Sequence, residues 1–217
     1  MQNPYVNLGA GQPARGWINL DSSPLFKVPR GFHRVAARTG ICRRSMDFVD
    51  ADYAWFRWRE GEILPFSNDS VRAIYCSHVF EHLPASTLSG LLKECRRVLI
   101  PEGIARVVVP DLEQALAQGL AADAPFLDLE DRLGLVPASL RQRGYRAAIE
   151  GWFSFPSLHR TIVRPDRLCG LLDAGWRVRT SLAYLQSDID AGRLQLVERE
   201  SRCQNALIFE MTKTCQD

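Results

Sequence analysis

Short apolar runs that stop at glycine, aspartate or serine recur along this chain and alternate with helical patterns. Strands are predicted at 5–8, 17–21, 53–58, 71–76, 104–109, 178–185 and 206–211. Helical spacing of apolar residues covers 31–39, 86–99 and 165–174. This alternation predicts an α/β fold with a mostly parallel sheet and helices on both faces. Ligands then bind at the carboxyl ends of the strands, so function is expected in the loops that follow them.

Length and composition favour an ordinary globular protein. The 217 residues, 46% of them hydrophobic, suffice for one core, and we expect a single domain over residues 1–217. A net charge of +2 argues against a dedicated nucleic-acid binder, which carries a strong basic excess. No apolar run reaches the length of a membrane span, and the N-terminal residues do not have the pattern of a signal peptide. We therefore expect a cytoplasmic protein with neither a nucleic-acid partner nor a membrane span.

The cysteines predict neither a disulfide framework nor a metal site. Cys76 and Cys95 fall in apolar patterns and are expected to be small buried side chains. No two cysteines have C-x-x-C spacing, so no metal ligands are predicted. A reducing compartment fits this usage. The six cysteines are at 42, 76, 95, 169, 203 and 215.

The loop after the first predicted strand contains two glycines, Gly9 and Gly11. Glycine lets the backbone turn sharply and approach a ligand closely. The third glycine of the dinucleotide fingerprint is missing. The stretch 12–16 is also too short to provide a helix N-terminus for a pyrophosphate. The loop therefore argues against NAD and favours a ligand without a pyrophosphate.

An acidic residue, Asp21, ends the second predicted strand. A carboxylate there can accept hydrogen bonds from both hydroxyls of a ribose. An aspartate beside Ser22 and Ser23 can equally be a turn or cap residue. These residues alone leave both interpretations open.

Taken together and in order, nine segments resemble class I S-adenosylmethionine-dependent methyltransferases of the type 11 kind. The resemblance covers nearly the whole chain and is nearest to a compact bacterial subgroup associated with polysaccharide biosynthesis. Each motif is weak alone, and the order and spacing make the set specific. The segments are Val6–Gly11, Gly16–Asp21, Leu64–Ser70, Ser77–Leu83, Glu94–Leu99, Val107–Leu112, His159–Arg160, Leu171–Trp176 and Ala206–Glu210.

The resemblance implies a Rossmann-like class I methyltransferase fold. Its sheet would be a mostly parallel, seven-stranded one with an antiparallel last strand. The first crossover would be shortened, because the connection between Gly11 and Asp21 is too short for most of the usual first helix. Residues 112–160 would form a helical cap insertion, in which Trp152, Phe153 and Phe155 either stack on an acceptor or form the core of the cap.

The resemblance also implies S-adenosylmethionine as the cofactor. Gly9 and Gly11 would approach its methionine part, Asp21 would bind the ribose hydroxyls, and Leu64 would lie near the adenine. The full set of implied cofactor-binding residues is Asn7, Gly9, Ala10, Gly11, Asp21, Leu64, Ser77 and His78.

The chain departs from the family near the third strand. The family often has an acidic residue shortly before the motif that begins at Leu64, and here the aligned residue is Arg57. Asp50, Asp52 or Glu60 could substitute. The adenine could instead be held by stacking and backbone groups, or the site could be degenerate.

Methyl transfer is a displacement at a carbon that the sulfonium already activates, so the enzyme mainly positions the acceptor. A hydroxyl acceptor also needs a base, and histidine titrates in the right range. The candidate catalytic residues are, in order of preference, His159, His78, Asp111 and His82. His159 could alternatively pair with a backbone carbonyl at a helix start.

The favoured hypothesis is a methyltransferase that modifies a small-molecule or glycan acceptor, with oxygen as the preferred atom. A catalytically degenerate module with a binding or regulatory role is one alternative, and a methyltransferase for RNA or protein is the other. The sequence does not determine the acceptor or the oligomeric state, and a homodimer is among the possibilities.

Overall fold

The computed structural model describes residues 3–40, 45–121, 159, 161 and 163–215. Their strands form one seven-stranded sheet in the order β3-β2-β1-β4-β5-β7-β6. The strands are β1 (Tyr5–Leu8), β2 (Ile18–Asp21), β3 (Asp52–Trp55), β4 (Val71–Ser77), β5 (Leu99–Pro110), β6 (Trp176–Arg179) and β7 (Ala206–Lys213).

The described helices lie between these strands, with short 3₁₀ turns at Pro24–Lys27 and Phe80–His82. None of them is long and apolar enough to cross a membrane. The helices are α1 (Arg30–Arg38), α2 (Ser45–Val49), α3 (Ala85–Val98), α4 (Leu112–Ala121), α5 (Pro165–Leu171), α6 (Ala191–Leu194) and α7 (Glu200–Cys203).

The topology confirms the predicted fold class. Strands β1 to β5 pair in parallel, whereas β7 is antiparallel to both β5 and β6. The strand order reverses at β1, which has β2 on one side and β4 on the other. In doubly wound sheets a ligand binds at such a switch point, outside the carboxyl ends of the strands. The loops after β1, β2 and β4 are therefore the places to look for a site.

The shortened first crossover is confirmed as well. β1 and β2 are parallel neighbours, and residues 9–17 connect them without a helix. The segment 182–197, which includes α6, covers the sheet face beside this crossover and packs on Trp17 and Tyr75. Trp17 Nε1 donates a 3.0 Å hydrogen bond to the carbonyl of Arg193. A distant segment thus covers the face on which a helix between β1 and β2 would lie.

The opposite face of the sheet is buried mainly by α3. Its apolar residues recur at helical spacing and pack on the strands together with Leu168 of α5. The predictions that Cys76 and Cys95 are buried side chains are confirmed. The buried residues of α3 are Leu88, Leu91, Leu92, Cys95 and Val98.

Several element boundaries differ from the predictions, such as that of the fifth strand, which begins at Leu99. The third strand ends at Trp55, and the helix predicted at 165–174 ends at Leu171. The strand predicted at 178–185 was wrong beyond Arg179, because Ser181 and Leu185 have positive φ angles and the chain turns there. Apolar residues in this turn segment pack on the sheet, which explains why the segment resembles a strand in sequence.

The predicted insertion is described only in part. Its first ten residues form α4, and His159 is described near its end. The aromatic residues Trp152, Phe153 and Phe155 lie outside the described residues.

Candidate cofactor and catalytic site

The glycine loop after β1 folds back over the end of β2. The backbone N–H groups of Gly9 and Ala10 both donate to the carbonyl of Leu20, at 2.8 and 3.2 Å. Gly9 and Gly11 have φ angles of +70° and +54°, which residues with a side chain rarely adopt. A Cβ on Gly11 would meet only open space, whereas a Cβ on Gly9 would clash with the side chain of Val79. Gly11 therefore borders open space, and Gly9 permits close packing against the loop after β4.

Asp21 is fixed in position by two backbone hydrogen bonds. Its Oδ2 accepts from Gly11 N at 2.8 Å, and its Oδ1 accepts from Ser23 N at 2.6 Å. Each carboxylate oxygen can accept about two hydrogen bonds, so each keeps capacity for another donor. The side chain is only half-buried. The turn role and a ribose-binding role are thus compatible.

The predicted site residue Asn7 lies beneath this loop. Asn7 is buried, and its Nδ2 donates to Asn19 Oδ1 at 3.0 Å across neighbouring strands. Asn19 also accepts from Ala14 N at 2.9 Å and donates to the Ala14 carbonyl at 2.9 Å. This pair of asparagines holds the connection between β1 and β2 in place. The sequence interpretation missed Asn19, although a buried asparagine in a short strand signals such a role.

The side chain of Leu64 is fully buried in the core, and its backbone is held by α3. Leu64 N donates to Glu94 Oε2 at 2.8 Å, and Arg97 donates to the Leu64 carbonyl at 3.1 Å. Glu94 and Arg97 form an ion pair at 2.7 Å, and this hydrogen bond from Arg97 lowers the pKa of Glu94. Glu94 and Arg97 therefore hold the Leu64 loop against α3.

Two of the acidic residues that could substitute at the aligned position of Arg57, Asp50 and Asp52, lie at the end of β3 opposite to the cofactor loops. Asp50 pairs with Arg15, and Asp52 pairs with Arg30 at 3.2 Å. Asp50 precedes β3 and Asp52 is its first residue, so both belong to the amino end of the strand. A cofactor would bind at the carboxyl end of the strand, and the residue there is Trp55.

Trp55 presents a partly exposed ring beside Asp21. The two residues are register partners in β2 and β3. Trp55 Nε1 donates to the Ser22 carbonyl at 3.0 Å, and Lys27 Nζ lies 4.1 Å from the ring centroid. The sequence interpretation did not single out Trp55, because an aromatic residue in a strand is usually explained by packing.

Three of the four histidines converge on one buried carboxylate after β4. Glu81 lies in the 3₁₀ turn Phe80–His82 and is 1% exposed. Its Oε1 lies 3.2 Å from His78 Nδ1 and 4.0 Å from His82 Nε2. The rings of His82 and His159 have centroids 5.1 Å apart. We call the four residues His78, Glu81, His82 and His159 the histidine cluster.

His78 is oriented toward Glu81 by its backbone and by its second nitrogen. It has a positive φ of +55°, and its N–H donates to the Val108 carbonyl at 2.8 Å. Its Nε2 lies 3.2 Å from the carbonyl of Arg202, which can only accept, so this nitrogen carries the proton. Both ring nitrogens of His78 therefore face an acceptor, the Arg202 carbonyl at Nε2 and the Glu81 carboxylate at Nδ1.

His159 reaches the cluster because the chain after the insertion is anchored to the 3₁₀ turn. Thr161 N donates to the Glu81 carbonyl at 3.1 Å, and Thr161 Oγ1 donates to the Leu83 carbonyl at 2.6 Å. The fourth histidine, His33, stacks on Phe48 at 4.2 Å and is not part of the cluster. Sequence analysis anticipated the three histidines but missed Glu81, which its own motif contained.

The last predicted catalytic residue, Asp111, begins α4. Its Oδ1 accepts from Gln114 N at 2.9 Å, which is the geometry of an N-terminal helix cap. Its backbone N–H donates to the Asn205 carbonyl at 3.0 Å. Ser77, the remaining predicted residue, ends β4 just before the cluster.

Comparison with known proteins identifies a methyltransferase domain in part of the chain. A family model described as a methyltransferase domain matches residues 33–107, which include β3, β4 and the histidine turn. This match and the fold support an S-adenosylmethionine-dependent methyltransferase. No curated protein sequence matches this methyltransferase.

Solved structures are similar to this chain at low sequence identity. The YcgJ protein from Bacillus subtilis is 13% identical over 99% of this chain and 93% of its own, with a TM-score of 0.50. A SAM-dependent methyltransferase from Archaeoglobus fulgidus is 14% identical over 97% and 86%, with a TM-score of 0.48. One from Mesorhizobium loti is 14% identical over 98% and 94%, with a TM-score of 0.45.

The loops of the methyltransferase fit its cofactor, S-adenosylmethionine. Gly11 faces open space at the switch point, and Asp21 has a fixed carboxylate with spare acceptor capacity. No pyrophosphate has to be bound, which agrees with the absence of a helix between β1 and β2. The individual cofactor contacts remain predictions.

Proposed function

We propose that this methyltransferase transfers its methyl group to a hydroxyl oxygen of a small-molecule or glycan acceptor. The histidine cluster is the observation that carries this proposal. It follows β4 directly, and the glycine loop follows β1, the parallel neighbour of β4. The cluster and the cofactor loops therefore belong to the same edge of the sheet.

A hydroxyl acceptor needs what this cluster provides. The acceptor oxygen forms a bond to the methyl carbon while the bond from that carbon to sulfur breaks, and its electron pair remains on sulfur. The hydroxyl proton must leave, and a histidine can receive it. The buried carboxylate of Glu81 stabilises the resulting positive charge on a neighbouring imidazole.

Within the cluster, His159 is the first candidate for contact with the acceptor. It lies near the end of the predicted insertion 112–160, in a chain segment that Thr161 anchors to the 3₁₀ turn after β4. His82 is the second candidate, because its ring lies beside that of His159. His78 acts in this proposal by orienting Glu81, since its Nε2 is bonded to the Arg202 carbonyl.

For the cofactor, we propose that Asp21 binds the ribose hydroxyls and that Trp55 stacks on the adenine. Trp55 is exposed at the carboxyl end of β3, next to Asp21 in register. Stacking explains how the adenine can be held when Asp50 and Asp52 are paired with arginines. It also gives a direct signal, because a bound adenine would change the fluorescence of Trp55.

The compartment we propose is the cytoplasm. The five described cysteines form no disulfide with one another, and Cys169 and Cys215 are exposed free thiols. Exposed thiols of this kind persist in a reducing environment.

The test pairs a binding measurement with a transfer measurement on the full chain. Calorimetry with S-adenosylmethionine should show that Asp21→Ala weakens binding about 10- to 100-fold, as expected for a lost charge-assisted hydrogen bond. Transfer of a labelled methyl group should be measured with two matched panels, sugars and nucleotide sugars that offer only hydroxyls, and amino-sugar counterparts. His159→Ala should lower transfer to hydroxyls by about 10²- to 10⁴-fold.

The matched control is Glu102→Gln, an exposed carboxylate near the amino end of β5, whereas the cluster follows the carboxyl end of the neighbouring β4. It should change neither binding nor transfer. Methylation restricted to amines, or normal transfer to hydroxyls by His159→Ala, would contradict the proposed acceptor chemistry. Unchanged cofactor affinity in Asp21→Ala would contradict the proposed binding mode.

A further inference from the structure

The histidine cluster contains a feature that proton transfer alone does not explain. Glu81 is buried, and its carboxylate oxygens accept no hydrogen bond from the described residues, although His78 Nδ1 lies 3.2 Å from Oε1. A buried carboxylate without donors is costly unless a cation compensates it. One ligand atom each from Glu81, His82 and His159 lies within 4.8 Å of the other two.

We propose that Glu81, His82 and His159 bind one divalent metal ion of the zinc class, and that its open position receives the acceptor hydroxyl. The second half rests on the proposed function. Two imidazole nitrogens and one carboxylate oxygen suit zinc, cobalt or manganese better than calcium, which prefers oxygen ligands. Three protein ligands with one open position is the arrangement of catalytic zinc sites.

The geometry requires only small side-chain adjustments. Zinc ligands at about 2.0–2.2 Å from the ion lie about 3.4 Å from one another in a tetrahedron. The three atoms therefore need to approach by little more than about 1 Å from their present separations. Glu81 and His82 share one short turn, and the bonds of Thr161 to that turn hold the chain that carries His159 beside it.

The neighbouring His78 completes the site without being a ligand. Its Nδ1 lies 3.2 Å from Glu81 Oε1, while its Nε2 is held by the Arg202 carbonyl. A residue that contacts a ligating carboxylate in this way fixes its orientation, and such contacts tune metal affinity.

The ion changes how the acceptor loses its proton but leaves the methyl transfer itself unchanged. A bound divalent ion withdraws charge from the hydroxyl oxygen, so the proton leaves to solvent more readily. The oxygen then forms its bond to the methyl carbon as the carbon–sulfur bond breaks. In this scheme His82 and His159 hold the ion, and they do not receive the proton themselves.

The sequence predicted no metal site because that expectation rested on cysteine spacing. The ligands proposed here are nitrogen and oxygen donors from two distant segments. Only the fold brings them together.

The test measures metal binding without acceptor or cofactor. The purified full chain, with Cys169→Ser and Cys215→Ser to remove exposed thiols, is stripped of metal and titrated with Co²⁺ and then Zn²⁺. We expect one equivalent of Co²⁺ with visible absorption bands of a four- or five-coordinate ion, displaced by Zn²⁺. His82→Ala and His159→Ala should each weaken binding at least 10-fold, in line with the loss of a ligand.

Glu102→Gln is the matched control and should bind like the parent. Glu81→Gln tests the third ligand, and the two histidine variants keep the test decisive if that buried change impairs folding. Absence of stoichiometric binding by the parent, or unchanged affinity in both histidine variants, would overturn the proposal. Methyl transfer to hydroxyls by a metal-free parent would overturn the metal while leaving the proposed function intact. Metal binding without transfer to hydroxyls would support the metal site and overturn the proposed function.

Discussion

Arg106 in β5 and Glu198, 92 residues later, form a bidentate ion pair that is completely buried. Arg106 Nε and one terminal nitrogen donate to the two oxygens of Glu198 at 2.6 and 3.0 Å. The other terminal nitrogen donates to Glu210 at 3.1 Å and to the Gln186 carbonyl at 2.8 Å. This one side chain therefore fastens the segment that covers the second face of the sheet.

Replacing Arg106 with methionine should be strongly destabilising. It leaves the buried carboxylate of Glu198 without its arginine partner and removes one of the two arginines that contact Glu210, which costs about 3–5 kcal/mol. Urea unfolding followed by circular dichroism at pH 7 measures the loss. The control is Arg177→Met, which breaks the exposed ion pair with Glu102 and should cost less than about 1 kcal/mol. Similar losses in the two variants would contradict the role assigned to Arg106.

Gly9→Ala should destabilise the protein more than Gly11→Ala does. Both residues have positive φ, which costs about 1–2 kcal/mol for alanine. At Gly9 the added Cβ also meets Val79, and such overpacking costs about 1–3 kcal/mol more. Thermal and urea unfolding of the two variants provide the comparison.

A second substitution checks the cause of that difference. Val79→Ala removes the methyl group that the new Cβ would meet, so the double variant Gly9→Ala with Val79→Ala should recover the steric part of the loss. If the two changes were simply additive, the contact between Gly9 and Val79 would not be what requires glycine.

The ion pair between Glu94 and Arg97 should make stability depend on acidity. The hydrogen bond from Arg97 lowers the pKa of Glu94 below its ordinary 4.5 in the folded protein. A lowered folded pKa gives stability that is complete above pH 4.5 and is lost as the pH falls through the folded pKa. Glu94→Gln should therefore cost about 1–3 kcal/mol at pH 7, and the difference from the parent should shrink on acidification below pH 4.5.

Urea unfolding at pH 7, 5 and 3.5 measures this dependence, with Glu62→Gln as the exposed control. The control should follow the parent at all three values. A difference between Glu94→Gln and the parent that stays constant with pH would show that the carboxylate contributes through packing alone.

Local patterns predicted most of the fold. Strand positions, the parallel arrangement and the short connection between β1 and β2 follow from apolar spacing and from the turn residues, such as Gly9 and Asp21, at which strands end. The failure after Arg179 has a physical reason: Leu182 and Leu185 are apolar because they pack on the sheet from a turn, and spacing alone cannot separate that packing from a strand.

For the site, the sequence by itself determined the class of protein, the glycine loop, Asp21 and the three loop histidines. Only the tertiary structure decided what these residues contact. It showed Glu81 at the centre of the histidines, Asn19 behind Asn7, and Trp55 instead of an acidic residue at the end of β3. Such partners lie up to about 80 residues apart in the chain, and their meeting depends on strand order and on anchors such as Thr161. No local pattern encodes a contact that exists only after the whole sheet has formed.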